Sequence, residues 1–112
     1  DDLIGKDCWL YSIWSGKFRC YLGAVYQHGR DKATARFRSK QPIQKHFLCS
    51  SEDETIYNGV VWLKEKDDLL ALEYLITYEE NAIDALREKI DNHHHKMIYL
   101  LTEKENLKKG GN

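Results

Sequence analysis

Residues 67–109 read DDLLALEYLITYEENAIDALREKIDNHHHKMIYLLTEKENLKK. Steps of alternately three and four from Leu69 land on Leu69, Leu72, Ile76, Glu79, Ile83, Leu86, Ile90, His93, Met97, Leu100, Lys104 and Leu107, nine of them apolar. Positions so spaced share one helix face, and a run of this length is the seam of a coiled coil. Asp67 and Asp68 supply an N-cap and a first-turn acid, no Pro or Gly interrupts the run, and Gly110-Gly111 closes it. One helix of about 40 residues would be about 60 Å long. A small domain cannot cover such a seam, so the helix is expected to make a homo-oligomer, with Leu72, Ile76, Ile83, Leu86, Ile90, Met97 and Leu100 at the interface. The alternative is a helical hairpin broken at Asp91-Asn92-His93, a cluster of weak helix formers, although the seam keeps its phase through those residues. The mixture of Leu, Ile, Met and polar seam residues does not fix the oligomer number.

Everything before Asp67 reads as strands. From Lys6 to Tyr26 apolar and polar residues alternate, interrupted at Ser15-Gly16, the two-residue break of a hairpin turn. That turn pairs Trp9 with Leu22, Tyr11 with Cys20 and Ile13 with Phe18 on a face expected to be core. Leu10 with Tyr21, Ser12 with Arg19 and Trp14 with Lys17 are expected to face solvent or a partner. His28-Gly29-Arg30-Asp31 marks a second turn, and Ala33–Arg38 a third strand with Ala35 and Phe37 on one side and Thr34, Arg36 and Arg38 on the other. Pro42 makes 41–45 an edge or a crossing before a fourth strand, His46–Cys49. Residues 50–55 form a loop, and Val60-Val61-Trp62-Leu63 after Asn58-Gly59 is a last, buried strand. With no helix between them, these strands predict an antiparallel curved sheet or SH3-like small barrel in residues 1–66, followed by the helix of residues 67–109: an α+β chain.

A chain of 112 residues has room for one such core and an appendage. The formal charge is −1, with eleven basic against eight acidic residues up to Lys66 and six against ten beyond it. The β part is mildly basic, and the total gives no global attraction to nucleic acid or anionic membrane. Cys8, Cys20 and Cys49 form no CxxC pair and leave one over from any bridge, which points to reduced thiols and a cytosolic setting. No run approaches the length of a membrane span and no charged-then-apolar leader opens the chain. The first residue is Asp1 rather than Met, so the opening residues are expected to be foreign to the natural chain.

No constellation for catalysis is visible: the cysteines lie on predicted strands, and no Gly-rich loop precedes a helix to cradle phosphate. An enzyme is not expected, nor a cofactor. His93-His94-His95 lacks the three- or four-residue spacing that chelation on one helix requires and reads as a solvated tract with His93 on the seam. Glu79-Glu80 and the acids of 103–105 read as a charge-laced helix surface. The candidate binding set is on the predicted outer face of the sheet: Trp14, Arg19, Tyr21, Arg36, Arg38 and Lys40, with Lys45 at the margin. Aromatic rings stack and guanidinium groups fork onto phosphate, so such a face suits a nucleotide, a single-stranded nucleic acid or an acidic protein surface. The plainer reading is a half-buried sheet with a polar exterior.

Ile4-Gly5-Lys6 opening a strand, the Trp14-Ser15-Gly16-Lys17 hairpin, and a short strand Val60–Leu63 running into an acid-capped helix together resemble small proteins of phages and prophages of Gram-positive bacteria. The likeness covers most of the chain and rests on the order of elements. It implies a phage accessory role in the bacterial host cytoplasm, often anti-defence: an anti-CRISPR-like inhibitor of a host defence protein, or an oligomeric sponge for a small nucleotide signal, like the Thoeris anti-defence proteins. The basic β part departs from DNA-mimicking anti-CRISPRs. A sponge would hold its ligand between protomers, with Tyr57 and Asn58 near the helix junction as further candidates. Two other expectations stand beside it: an adaptor whose coiled coil pairs with a different chain, and, less favoured by the net charge, a nucleic-acid-binding regulator.

Overall fold

The computed structural model describes residues 4–110. The chain divides into two compact units, the first reaching Glu79 and the second starting at Glu80. What was expected of the opening three residues and of Gly111 lies outside the described residues.

Strand β1 (Asp7–Trp14) and strand β2 (Lys17–His28) form the expected hairpin. Ser15 and Gly16 both take positive φ, 53° and 72°, the two-residue turn whose twist matches that of the strands it joins. Its register is the one read from the sequence, with Trp9 opposite Leu22, Tyr11 opposite Cys20 and Ile13 opposite Phe18. Ile4 makes only an isolated parallel bridge to Val25, so the strand opens at Asp7 and not at Ile4. Strand β3 (Thr34–Ser39) pairs with β2, and strand β4 (His46–Ser50) with β3. A short strand not anticipated, β5 (Ile56–Tyr57), turns through Asn58 and Gly59, both at positive φ, into β6 (Val60–Leu63), which pairs with β1.

The antiparallel order is β4-β3-β2-β1-β6-β5. β2 can serve both neighbours because it bends. Its register against β3 shifts between Val25 and Gln27, and Gly23 lets the next strand come close, since a Cβ there would lie 2.6 Å from Phe37 Cζ and collide with the Arg38 carbonyl. The curled sheet brings its ends together: Trp62 Nε1 donates to the Ser50 carbonyl at 2.7 Å, linking β6 to β4. The result is a nearly closed barrel followed by one long helix, α1 (Asp68–Gly110), which runs without a break through Asp91-Asn92-His93.

The barrel interior holds Cys8, Leu10, Tyr21, Val25, Ala35, Phe37, Cys49 and Trp62. This corrects the expected faces of the first hairpin in part. Leu10 and Tyr21, read as outward, are core, whereas Ile13, read as core, is exposed. The other face is buried too, by a different element: Tyr11, Val61 and Leu63 pack with Ala71 and Leu75 of α1, flanked by Trp9, Phe18, Cys20, Leu70 and Tyr74. Both faces of β1 are therefore covered, one by curling and one by a helix turn.

The helix start is fixed to the sheet by polar contacts. Asp67 caps it, its Oδ1 accepting the Leu70 N–H at 3.1 Å. The buried Tyr11 hydroxyl accepts the Asp67 N–H at 3.0 Å and donates to Asp68 Oδ1 at 2.9 Å. Lys66 Nζ meets the same Asp68 oxygen at 2.8 Å.

Candidate functional site

The β2–β3–β4 outer surface carries a basic and aromatic grouping. Side chains alternate across a strand, so Phe37 and Ala35 point into the barrel while Arg36 and Arg38 point out. Arg38 lies opposite His46 on β4, and Arg36 opposite Gln27 on β2 and Leu48 on β4. Tyr26 lies two residues from Ala24, the partner of Arg38, and so on the same side of β2, where the Arg38 guanidinium sits 4.9 Å from its ring centroid. The His46 ring meets Tyr26 edge-on at 5.9 Å, and its Nδ1 lies 3.4 Å from the Tyr26 hydroxyl. Lys40 belongs to the same outer surface and pairs with Asp7 at 2.6 Å. Tyr26, Arg36, Arg38 and His46 thus offer a planar ring, two guanidinium groups and an imidazole to a planar or anionic group.

The six residues expected to converge do not all meet. Trp14, Arg19 and Tyr21 lie on the face of the hairpin that includes Leu10, opposite to that of Arg36, Arg38 and Lys40. Tyr21 is 9 % exposed and stacks against Phe47 in the core, so it is no surface residue. Trp14 is exposed at the hairpin end beside Lys17. Arg19 is half-buried, and its Nε is enclosed without a hydrogen-bond partner. Lys45 is exposed on the 41–45 loop, its N–H held by Ser39 Oγ at 2.8 Å. Tyr57 is half-buried and Asn58 exposed on the turn before β6, where Gly59 faces the Tyr78 ring. Tyr26 and His46 are the residues that sequence reasoning missed. Their signal was the pairing of Arg38 with Ala24 on β2 and with His46 on β4, which the periodicity of one strand does not announce.

Two clefts on this unit lie away from that surface. One is lined by Asp53, Glu54, Leu63, Lys64, Asp67 and Leu70, and another by Lys6, Asp7, Cys8, Trp62 and Lys64. The thiols are poor nucleophiles at neutral pH: burial raises Cys8 to about 11 and Cys49 to about 12, and raises Cys20 as well.

The second candidate surface is the helix seam. The turns of α1 that pack on the sheet use Leu70, Ala71, Tyr74 and Leu75, a stripe distinct from the seam. Leu72 is half-buried beside that stripe. Ile76, Ile83, Leu86, Ile90, Met97 and Leu100 are 47–61 % exposed. His93, His94 and His95 are exposed on the helix. No helix of the described residues is long and apolar enough to cross a membrane. The chain matches no protein-family model, no curated protein and no solved structure with which it was compared.

Proposed function

We propose that this chain is a non-enzymatic binding protein that self-associates through the seam of α1 and presents the outer surface of the β barrel to a ligand. The observation that carries this reading is the separation of two apolar stripes on one helix. Leu70, Ala71, Tyr74 and Leu75 serve the barrel, and the seam from Ile76 to Leu107 remains exposed. A line of large apolar side chains that length is rare on a soluble monomer and is the mark of an interface. The ligand that suits the barrel surface is a planar anion, held by Arg36 and Arg38 with Tyr26 and His46 as stacking partners. A protein built this way acts by sequestering or blocking. That fits the phage accessory role implied by the order of elements, in which the bound species is a nucleotide signal or an acidic patch on a defence protein.

Native mass spectrometry of the purified protein tests both halves in one spectrum. A closed oligomer carrying a few hundred extra daltons per site supports a nucleotide sponge, and a bare oligomer supports a protein-binding inhibitor. A bare monomer whose seam pairs only when another chain is added would replace this reading with an adaptor. Arg36→Ala with Arg38→Ala should weaken nucleotide binding by at least about 100-fold without changing the oligomer, since each charged hydrogen-bonding contact contributes about 1.5–3 kcal/mol. Unchanged binding in that variant would exclude the β2–β3–β4 surface.

A further inference from the structure

We infer that two copies of this chain pair antiparallel along residues 76–107, in the register that sets Glu79 of each copy against Lys104 of the other. The inference rests on the self-association proposed above and adds its direction and register. It follows from the three polar residues that interrupt the seam: Glu79, His93 and Lys104.

In a parallel, in-register pair each seam residue meets its own copy. Glu79 would then face Glu79, His93 would face His93 and Lys104 would face Lys104, stacking like charges at two layers with nothing to offset them. In an antiparallel pair, seam positions reached by a step of four meet those reached by a step of three. The seam of α1 is built symmetrically for that arrangement. Around the midpoint between Asp91 and Asn92, Ile90 falls opposite His93, Leu86 opposite Met97, Ile83 opposite Leu100, Glu79 opposite Lys104 and Ile76 opposite Leu107. Each of these five kinds of layer occurs twice in the pair, and all but two kinds are apolar on apolar. One joins opposite charges, and the other sets His93 against Ile90 at the centre, where a polar residue helps to fix register.

Neighbouring registers lose this match. A slip of one heptad one way places Glu79 against Met97 and Lys104 against Leu72, and the other way places Lys104 against Leu86, leaving charges on apolar partners in either case. The positions beside the seam weigh less. Glu73 comes beside Lys108, which is favourable, and Lys89 comes beside Lys96, but all four are exposed and the lysines can turn to water. The overlap of residues 76–107 would be about 48 Å long. It leaves the N-terminal ends of the two helices at opposite ends of the pair.

Charge exchange in the full-length protein tests the register. Glu79→Lys creates two Lys–Lys layers and Lys104→Glu two Glu–Glu layers, so each should weaken self-association at least about tenfold. The double variant exchanges the signs and should return to within about threefold of the unaltered protein. In a parallel pair all four proteins keep like charges opposed, and the double variant would rescue nothing, which would overturn the inference.

Disulfide trapping gives a second, independent reading. Mixed Glu79→Cys and Lys104→Cys proteins should cross-link to each other, while neither alone should cross-link to itself beyond the level of the unaltered chain. Self-linking of either variant without linking of the mixture would establish the parallel arrangement. If the unaltered protein sediments as a monomer at every concentration, the self-association reading itself fails and the register falls with it. That outcome is distinct from a parallel pair, in which association persists.

Discussion

Leu10, Tyr11, Phe37, Val61, Trp62 and Leu63 in the first unit are at most 2 % exposed, whereas Ile83, Leu86, Ile90, Met97 and Leu100 in the second are 47–61 % exposed. The residue types are alike and the surroundings opposite. In the barrel β1 offers two apolar faces, and each finds a cover within the unit: the curled sheet for one, Ala71 and Leu75 of the helix for the other. Beyond Glu80 the seam residues lie along one line of a single helix, with Ile98, Tyr99 and Leu101 exposed beside it, and a helix has no second layer of its own to bury them. The difference is one of address. Side chains of the first unit specify a fold, and those of the second are left exposed, which is what the proposed self-association would use.

The largest expected effect is a core truncation. Phe37→Ala should destabilise the barrel by about 3–5 kcal/mol, seen as a lower midpoint in chemical denaturation followed by tryptophan fluorescence. Leu86→Ala should lower the midpoint of that transition little. It should instead weaken self-association by about 1–3 kcal/mol, read as a shift in the concentration dependence of the sedimentation coefficient. The contrast between the units breaks if Leu86→Ala unfolds the barrel as effectively as Phe37→Ala does.

A smaller effect is expected where the helix start meets the sheet. Tyr11→Phe removes the hydroxyl that serves both Asp67 and Asp68 and leaves the Asp67 N–H without that partner, which should cost about 1–2 kcal/mol in the same denaturation assay. The smallest effect is pH dependence. Lys66 and, next, Tyr11 hold the Asp68 carboxyl below its ordinary value, so its stabilising contribution is present above about pH 4 and is lost as pH falls through the lowered value. Asp68 in turn raises Lys66, whose contribution is intact below its ordinary value of 10.5 and is lost as pH rises through the raised one. Because both groups are solvent-accessible, Lys66→Gln should only slightly flatten the acid limb of a melting-temperature profile from pH 2 to pH 6.

Much of the fold was legible. Ser15-Gly16 fixed the first hairpin to the residue, because a two-residue turn leaves one register. The seam and Asp67 located the helix and its cap. The faces of that hairpin were misread for a physical reason: Trp9, Tyr11 and Phe18 are as apolar as Cys8, Leu10 and Val25, and alternation reports two faces without saying which one curls inward. Tyr21 was drawn to the surface by its hydroxyl, although its ring packs on Phe47. The candidate site was half legible. Arg36 and Arg38 were correctly set apart from Phe37, but their neighbours depend on pairings between strands that one strand's periodicity does not give: Ala24 opposite Arg38 sets Tyr26 on their side of β2 and Arg19 and Tyr21 on the other, and His46 comes opposite Arg38 from β4. β5 was missed although Asn58-Gly59 announces a tight turn, because two residues are too few for a pattern.

The most direct test of the account is sedimentation equilibrium of the full-length protein across a hundredfold range of concentration, beside an Ile83→Asp variant. The account predicts a mass of two chains or a larger even number for the unaltered protein, and a monomer with an intact barrel for the variant. A monomer at every concentration for the unaltered protein would contradict the assignment of the seam as a self-interface.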